Sequence, residues 1–431
     1  MQKLRITGGK PLKGRVKISG AKNAASKMII ASLLTDGEVT LQNVPLQQET
    51  DIARELVELV GGKTALADHT LTATTPTISQ TSTLALTRKN RLSILLAAPL
   101  LHRMHEAVVI KVGGDKIGPR PVDFHLEALQ KMGAVVSEEK DGYHLSVDGR
   151  LKGVSIELPY PSVGATETVL FASVLAEGRT VLKNAAIEPE ITELIMMLQK
   201  MGAIIETGAG REIEIIGVEK LHGCEHFILP DRLEVASFAC LALATRGEIF
   251  CEGASHRDMI TFLNAVRMIG GEWEAQPDGI LFKGGEHYRG IQLETDTYPG
   301  FSTDWQQPFV VVMTQAEGTS VVHETVMQDR FAYTEALVKM GADITLFTNC
   351  LGELPCRFKD QNYKHSAVIK GPTPLKASSM TVPDIRAGLA YVAAALAADG
   401  TSEIDGVEHL ERGYEDLYGK LASIGAQIET E

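Results

Sequence analysis

Cations and carboxylates gather at a few points of this chain, where they could bind an anionic substrate and move its protons. Lys22 stands in GAKNAAS, Arg91 in RKNRLS, Asp304 in STDWQQP and Arg386 in VPDIRAG, each at the start of an apolar stretch that reads as a helix. Exposed backbone N–H groups and the helix dipole make such starts natural anion sites. Taken singly, Asp231, Asp304 and Asp384 read equally well as N-caps, and Lys22 as a solvated lysine. Arg330 (QDRF) and Arg412 (LERGYE) are, one at a time, ordinary surface arginines. The loop VGGDKIGPRPVDFH, Val112–His125, is different in kind. Its mixture of glycines, prolines, cations and carboxylates suits either a lid that carries functional groups or a solvated surface loop. No motif has Walker, Rossmann or zinc spacing, so nucleotide hydrolysis, hydride transfer and metal catalysis find no support.

Repetition shows what must hold these helix starts in place. A hydrophobic-Gly-(Gly/Ala) helix stop recurs as LVGG at Gly61, KMGA at Gly133, Gly202 and Gly341, MIGG at Gly270 and SIGA at Gly425. The period is roughly 70 residues, the mark of a stacked structural unit. A second marker, an apolar helix closed by a charged residue and Gly before a strand, runs in parallel at Gly37, Gly178, Gly247, Gly318 and Gly400. Its missing copy falls at HRMHEAVVI, where Gly is absent but the helix-to-strand switch remains. Glycine suits the left-handed residue that ends a helix. Each unit reads as helix, Gly turn, β-branched strand, polar loop, second helix and one or two closing strands. The first helices are Ala-, Val- and Leu-rich nearly all round, as in Ala165–Ala176, Val235–Ala244 and Ala387–Ala398, which predicts full burial. The expected fold is α/β, two domains of three repeated units each, with buried helices inside and mixed sheets outside, divided near Phe227–Asp231.

The chain has 431 residues, more than one core usually organises, so the length predicts two or three domains. Apolar residues at 44% and charged residues at 23% fit a globular protein and exclude disorder. With 42 Lys and Arg against 55 Asp and Glu the net charge is −13, the wrong sign for broad nucleic-acid binding. An anionic ligand must be held by a local cluster of cations. The apolar stretches Ile94–Leu101 and Leu389–Ala398 are too short to span a membrane. The beginning, MQKLRITGGK, lacks the apolar centre of a signal peptide. Cys224, Cys240, Cys251, Cys350 and Cys356 fit neither a disulfide framework nor paired zinc spacing. These features predict a soluble cytoplasmic protein with reduced thiols, no metal, no nucleic-acid partner and no membrane insertion.

In order and spacing, GAKNAA, GGDKIGPRPVDFH, PSVGATET, PDRLE, TDWQ, ETVMQDRF, PDIRA and LERGYE resemble the motifs of UDP-N-acetylglucosamine enolpyruvyl transferases. The resemblance covers essentially the whole chain. The sister enzymes, 5-enolpyruvylshikimate-3-phosphate synthases, share the six-unit fold but carry a GSKS-like first motif in place of GAKN. The family's fold is an inside-out barrel of two domains. The resemblance therefore implies residues 22–229 as a first domain carrying a lid at about 112–124, residues 1–21 plus 230–431 as a second, and an active site in the cleft between them. It implies transfer of the enolpyruvyl group of phosphoenolpyruvate to the 3′-hydroxyl of UDP-N-acetylglucosamine, with release of phosphate. That is the first committed step of peptidoglycan precursor synthesis, and no metal or organic cofactor is required.

Carried over residue by residue, Lys22, Arg120 and Arg412 resemble the cations that hold the phosphate of phosphoenolpyruvate. Arg386, supported by Arg330, resembles the carboxylate clamp, for which the planar guanidinium fork is suited. Asp304 resembles the residue that binds the sugar 3′-hydroxyl and accepts its proton, and Asn23 lies where the family touches both substrates. Arg91, Arg120, Pro121, Val122, Asp123, Phe124, Ser162, Val163 and Val326 resemble the UDP-sugar contacts, with His125, Glu188 and Asp231 in support.

Three departures stand out. The lid position that most relatives fill with cysteine is Asp115, which here takes the role of the acid that protonates phosphoenolpyruvate. A carboxylate lacks thiolate nucleophilicity, so insensitivity to the epoxide fosfomycin is expected. Ser26-Lys27 follows GAKNAA where Leu-Pro is usual, and Lys27 either adds a cation beside the helix start or faces solvent. Tyr160-Pro161 replaces a frequent lysine-containing pair near the nucleotide. Two other readings compete: the shikimate-pathway transferase, disfavoured by GAKN and the lid, and a catalytically silent paralogue that binds UDP-sugar. Lys22, Asp115, Arg120, Asp304, Arg386 and Arg412 all being present argues against silence.

Overall fold

The computed structural model describes residues 3–86, 88, 90–111, 122–382 and 388–430. Contacts divide the chain into two compact units. One joins Met1–Ser19 to Pro230–Glu431, and the other lies between Gly20 and Leu229. Gly20 and Ala21 fall with the latter, because the Ala21 N–H donates to the Leu229 carbonyl at 2.8 Å.

In the unit that starts at Pro230, the helices Arg232–Ala244, Thr303–Thr314 and Gly388–Ala397 pack against one another at the centre of one core. Every residue from Trp305 to Thr314 is buried, as is every residue of Arg232–Ala244 except Leu233. In the other unit Lys22–Ala31, the turn Leu92–Leu96 running into Ala97–Met104, and Val163–Ser173 do the same. The second helix of each repeat, such as Gln48–Leu59 or Pro189–Lys200, buries one face only.

Among the described residues six separate sheets accompany the helices, five of four strands and one of three. Each four-stranded sheet combines one parallel pair with two antiparallel pairs, as where Gln292–Glu294 runs parallel to Gly318–His323 and Ser366–Gly371 lies antiparallel between Gly318–His323 and Asp343–Phe347. The three-stranded sheet of Glu106–Ile110, Gly142–Ser146 and Val135–Glu138 belongs to the repeat that lacks its glycine, and a bridge from Ser82 to Val108 stands where the fourth strand would be. Both chain ends serve the Pro230 unit. Leu4–Thr7 pairs with Thr401–Asp405 and Gln427–Thr430, and Lys13–Lys17 runs parallel to Glu248–Glu252.

All six MGA-type glycines have left-handed backbone, φ between +83° and +106°, so the helix stop works as expected. The second marker behaves less uniformly. Gly178, Gly318 and Gly400 are left-handed, but in the fourth copy Arg246 takes φ 56° while Gly247 serves a close approach: a Cβ there would lie 2.0 Å from the Leu12 carbonyl oxygen. In the copy without glycine, His105 itself takes φ 63°.

Candidate active site

Lys22 and Asn23 open the Lys22–Ala31 helix in the unit that begins at Gly20. Ala21 caps this helix in extended conformation, with no side-chain acceptor and no acidic residue in the first turn. The start therefore presents N–H groups and two polar side chains, which suits an anion. Ser26 turns its hydroxyl back onto the Lys22 carbonyl at 3.2 Å. Lys27 is half-buried rather than simply solvated. Its charge acts on the buried Glu167, whose carboxyl burial pushes up to about 7, with Lys27 opposing and Glu188 and Glu190 reinforcing the rise. Glu188 thus lies in an acidic group against the Val163–Ser173 helix.

Arg91 precedes the Leu92–Leu96 turn, and its charge reaches His125. Burial first, and then Arg91, push the His125 imidazole down to about 3, so it is neutral at pH 7. Its Nδ1 lies 2.7 Å from the Thr168 hydroxyl, and its ring sits under Gly164, where a Cβ would come within 3.0 Å of Cε1. His125 thereby fixes the start of Val163–Ser173, where the Ser162 hydroxyl accepts from the Ala165 N–H at 3.4 Å. Arg91, Ser162 and Val163 are brought together through this histidine. In the stretch between them Val122 is buried and Phe124 packs on the core, which leaves Asp123 exposed at the start of Asp123–Lys131.

The Pro230 unit builds its site around Asp304, in the first turn of Thr303–Thr314. Arg330 Nη2 donates to Asp304 Oδ1 at 2.6 Å, with the arginine side chain 4% and the aspartate 18% exposed. With its amide oxygen turned to the guanidinium, Gln307 accepts from Arg330 Nη2 at 2.9 Å and from Nε at 2.5 Å. Arg330 is thus a buried fork that orients Asp304. A clamp on substrate carboxylate by Arg330 would have to share it with Asp304.

Glu324 organises the neighbouring turn. Its carboxylate accepts from the Val326 and Met327 N–H groups at 2.8 and 2.9 Å, and from Thr303 Oγ1 and Gln306 Nε2 at 2.8 and 2.7 Å. Burial raises the Glu324 carboxyl, and these donors with Arg330 pull it back. Asp231 caps Arg232–Ala244, accepting from Leu233 N at 2.8 Å and Glu234 N at 3.4 Å. Tyr414 follows the Val407–Gly413 helix that carries Arg412, and its hydroxyl lies 3.0 Å from Ser237. Burial raises the Tyr414 phenol well above its usual range, and the charges of Asp231, Glu234 and Asp304 add to the rise. Asp231, Asp304, Arg330 and the Arg412 segment therefore converge within this unit. Asp115, Arg120, Pro121 and Arg386 lie outside the described residues.

The sequence reading missed Glu324, Gln307 and Tyr414. The first stands six positions before Arg330 in ETVMQDR, and the second one helical turn after Asp304 in TDWQQ. Spacing alone gave the turn in the second case and nothing in the first.

A model of the family EPSP synthase (3-phosphoshikimate 1-carboxyvinyltransferase) matches residues 6–421. A relative from Protochlamydia amoebophila named UDP-N-acetylglucosamine 1-carboxyvinyltransferase is 47% identical over 438 residues, covering 99% of this chain and 94% of its own. The chain belongs to the enolpyruvyl (1-carboxyvinyl) transferase family. Members of the same name from Chlamydia muridarum and Zymomonas mobilis are 46% and 40% identical, each across 100% of this chain and 99% of their own. Among solved structures, the enolpyruvyl transferase NikO from Streptomyces tendae superposes with a TM-score of 0.88 at 22% identity, over 100% of this chain and 98% of that one. EPSP synthase from Acinetobacter baumannii does so at 0.75 and 18%, over the whole of both chains. These two show the family's fold. No helix among the described residues is long and apolar enough to cross a membrane.

Proposed function

We propose that this chain transfers the enolpyruvyl group of phosphoenolpyruvate to the 3′-hydroxyl of UDP-N-acetylglucosamine and releases phosphate. The observation that carries the reading is the Asp304–Arg330–Gln307 arrangement, a carboxylate oriented by a buried arginine at a helix start, in a chain of this family. In the addition step carbon 3 of the enol gains a proton, the 3′-oxygen bonds to carbon 2, and the hydroxyl proton passes to Asp304. In the elimination step carbon 3 loses a proton and the bond from carbon 2 to the phosphate oxygen breaks. Lys22, Arg120 and Arg412 hold the phosphate, and Arg386 holds the carboxylate. Asp115 supplies the proton to carbon 3. Arg330 serves first to position Asp304. Asn23, Arg91, Pro121, Val122, Asp123, Phe124, Ser162, Val163 and Val326 contact the UDP-sugar, with buried Val122 acting through its backbone. Residues 112–124 form the lid. The free cysteines support a reducing compartment, the cytoplasm.

Phosphate release from phosphoenolpyruvate tests this directly. Turnover is expected with UDP-N-acetylglucosamine and not with shikimate 3-phosphate as acceptor. Tight UDP-sugar binding without turnover would point instead to a silent paralogue. The native enzyme should resist fosfomycin, and Asp115→Cys should gain time-dependent inactivation while keeping activity. Inactivation of the native enzyme would remove Asp115 from the proposed role.

A further inference from the structure

One end of the sheet Gln292–Glu294, Gly318–His323, Ser366–Gly371 and Asp343–Phe347 collects two histidines and two cysteines that none of the transferase motifs contains. His323 ends its strand and pairs with Ser366, the residue after His365. Cys350 and Cys356 lie in the connection between Asp343–Phe347 and Ser366–Gly371. One ligand atom from each of the four lies within 4.8 Å of all the others. We infer that His323, Cys350, Cys356 and His365 form a structural Cys₂His₂ site for zinc.

The ring nitrogens are already sorted for this role. His323 Nδ1 lies 2.9 Å from Glu294 Oε2, and His365 Nδ1 lies 2.8 Å from the Tyr363 carbonyl. Carboxylate and carbonyl oxygens only accept, so both Nδ1 atoms carry the proton and both Nε2 lone pairs point elsewhere. Such outer partners fix tautomer and ring orientation in metal-binding histidines. His365 Nε2 stands 3.4 Å from Cys350 Sγ. His323 Nε2 has no hydrogen-bond partner, although the residue is only 1% exposed. A buried acceptor left without a partner is costly, and a metal at the centre of the cluster satisfies it. In a tetrahedral zinc site with these ligands the ligand–ligand edges are about 3.3–3.8 Å, so from separations of up to 4.8 Å the group needs to contract by at most about 1.5 Å.

The surroundings hold the loop in place for the metal. Glu294, the partner of His323, also accepts from the Glu353 and Leu354 N–H groups at 2.9 Å each, which ties the cysteine-bearing segment to the histidine strand. Gly352 lets the segment pass: a Cβ there would come within 2.1 Å of the Glu294 carboxylate and 2.4 Å of His323 Nδ1. Buried Phe358 covers the His365 ring, with centroids 6.4 Å apart. Two sulfurs and two imidazoles favour zinc over hard cations, and four protein ligands leave no open position for catalysis. The metal would clamp the loop to the strand end that carries Glu324, whose N–H donates to the His365 carbonyl at 2.8 Å. The four ligands come from separate strands and a wide loop, so they carry no paired-cysteine spacing in the sequence.

The test uses the full chain, purified without a histidine tag or chelator. Elemental analysis should find about one zinc per chain, and X-ray absorption should show two sulfur and two nitrogen neighbours at about 2.3 and 2.0–2.1 Å. Cys350→Ser and Cys356→Ser should each lose the zinc and melt several degrees lower, whereas Cys224→Ser should keep both. Should the serine variants fail to fold, cobalt(II) exchanged into the native chain should give tetrahedral d–d bands with thiolate charge transfer. Native protein that holds no zinc and takes up no cobalt would overturn the site, as would a Cys350–Cys356 disulfide in the intact chain or full zinc in both serine variants.

Discussion

In the unit that contains Asp304, buried charges come with partners. Arg330 is held by Asp304 and Gln307, Glu324 accepts from four donors, and Glu234 is met by Lys420 Nζ at 2.5 Å and Ser19 N at 2.7 Å although burial pushes it up to about 7. In the unit that contains Lys22, three buried groups, His102, His125 and Glu167, are shifted chiefly by burial. Burial pushes His102 down to about 4 and His125 down to about 3, and it pushes Glu167 up to about 7. The first arrangement aims the Asp304 carboxylate, as proton acceptance from a hydroxyl requires. The second makes that unit's stability depend on pH.

The largest expected effect tests the paired side. Arg330→Met leaves the Asp304 carboxylate half-buried with its main cation gone. Breaking such a pair from one side costs about 3–5 kcal/mol, discounted somewhat for the exposure of Asp304. Turnover should fall at least about 100-fold through the misplaced carboxylate. Asp304→Asn keeps a hydrogen bond to Arg330 and should lose turnover with much less loss of stability. If Arg330→Met melts like the native chain and turns over within a few-fold of it, the pair neither stabilises nor positions.

The second effect belongs to the neutral side. His102 and His125 titrate near 6.5 when unfolded and near 4 and 3 when folded. Between those values the unfolded chain binds more protons, so each histidine removes about 1.4 kcal/mol per pH unit as pH falls below 6.5, and the loss is complete only below the folded pKa. Denaturant unfolding between pH 6.5 and 5 should show the Gly20–Leu229 unit losing about 2 kcal/mol per histidine. His125→Asn should shrink that slope by one histidine's share. An unchanged slope would mean the imidazole is protonated in the folded protein.

The repeats were legible in the sequence because each ends on a residue with a physical obligation. Gly61, Gly133, Gly202, Gly270, Gly341 and Gly425 all adopt the left-handed backbone that their position demands. Burial of the first helices was legible from their composition, since an apolar surface on every side leaves no face for water. The grouping of Leu4–Thr7 and Lys13–Lys17 with the C-terminal half was available only through resemblance, because no local pattern says which distant edge a strand will join. The candidate residues on helix starts could be named, but their partners could not. Arg330 reaches Asp304 from a turn 26 residues away, and His365 reaches His323 through the register of His323 with Ser366. A one-dimensional spacing carries no trace of that register.

The smallest effect probes how the neutral side is balanced at Lys27. Glu167 binds its proton more tightly folded than unfolded, with a pKa of about 7 against the ordinary 4.5. The folded state therefore loses stability as pH rises through that window. Lys27 works against this loss by favouring the ionised form. Lys27→Met should move the Glu167 pKa higher and extend the loss to higher pH. At pH 6, where Glu167 is mostly protonated in either protein, the substitution should cost little. At pH 8 it should cost about 1 kcal/mol, a modest figure because Lys27 is partly solvated. Adding Glu167→Gln to Lys27→Met should remove the difference between the two pH values, since no charge then remains for the lysine to meet. A Lys27→Met penalty that is the same at pH 6 and pH 8 would show that Lys27 acts by packing alone, and would detach it from the buried acidic group.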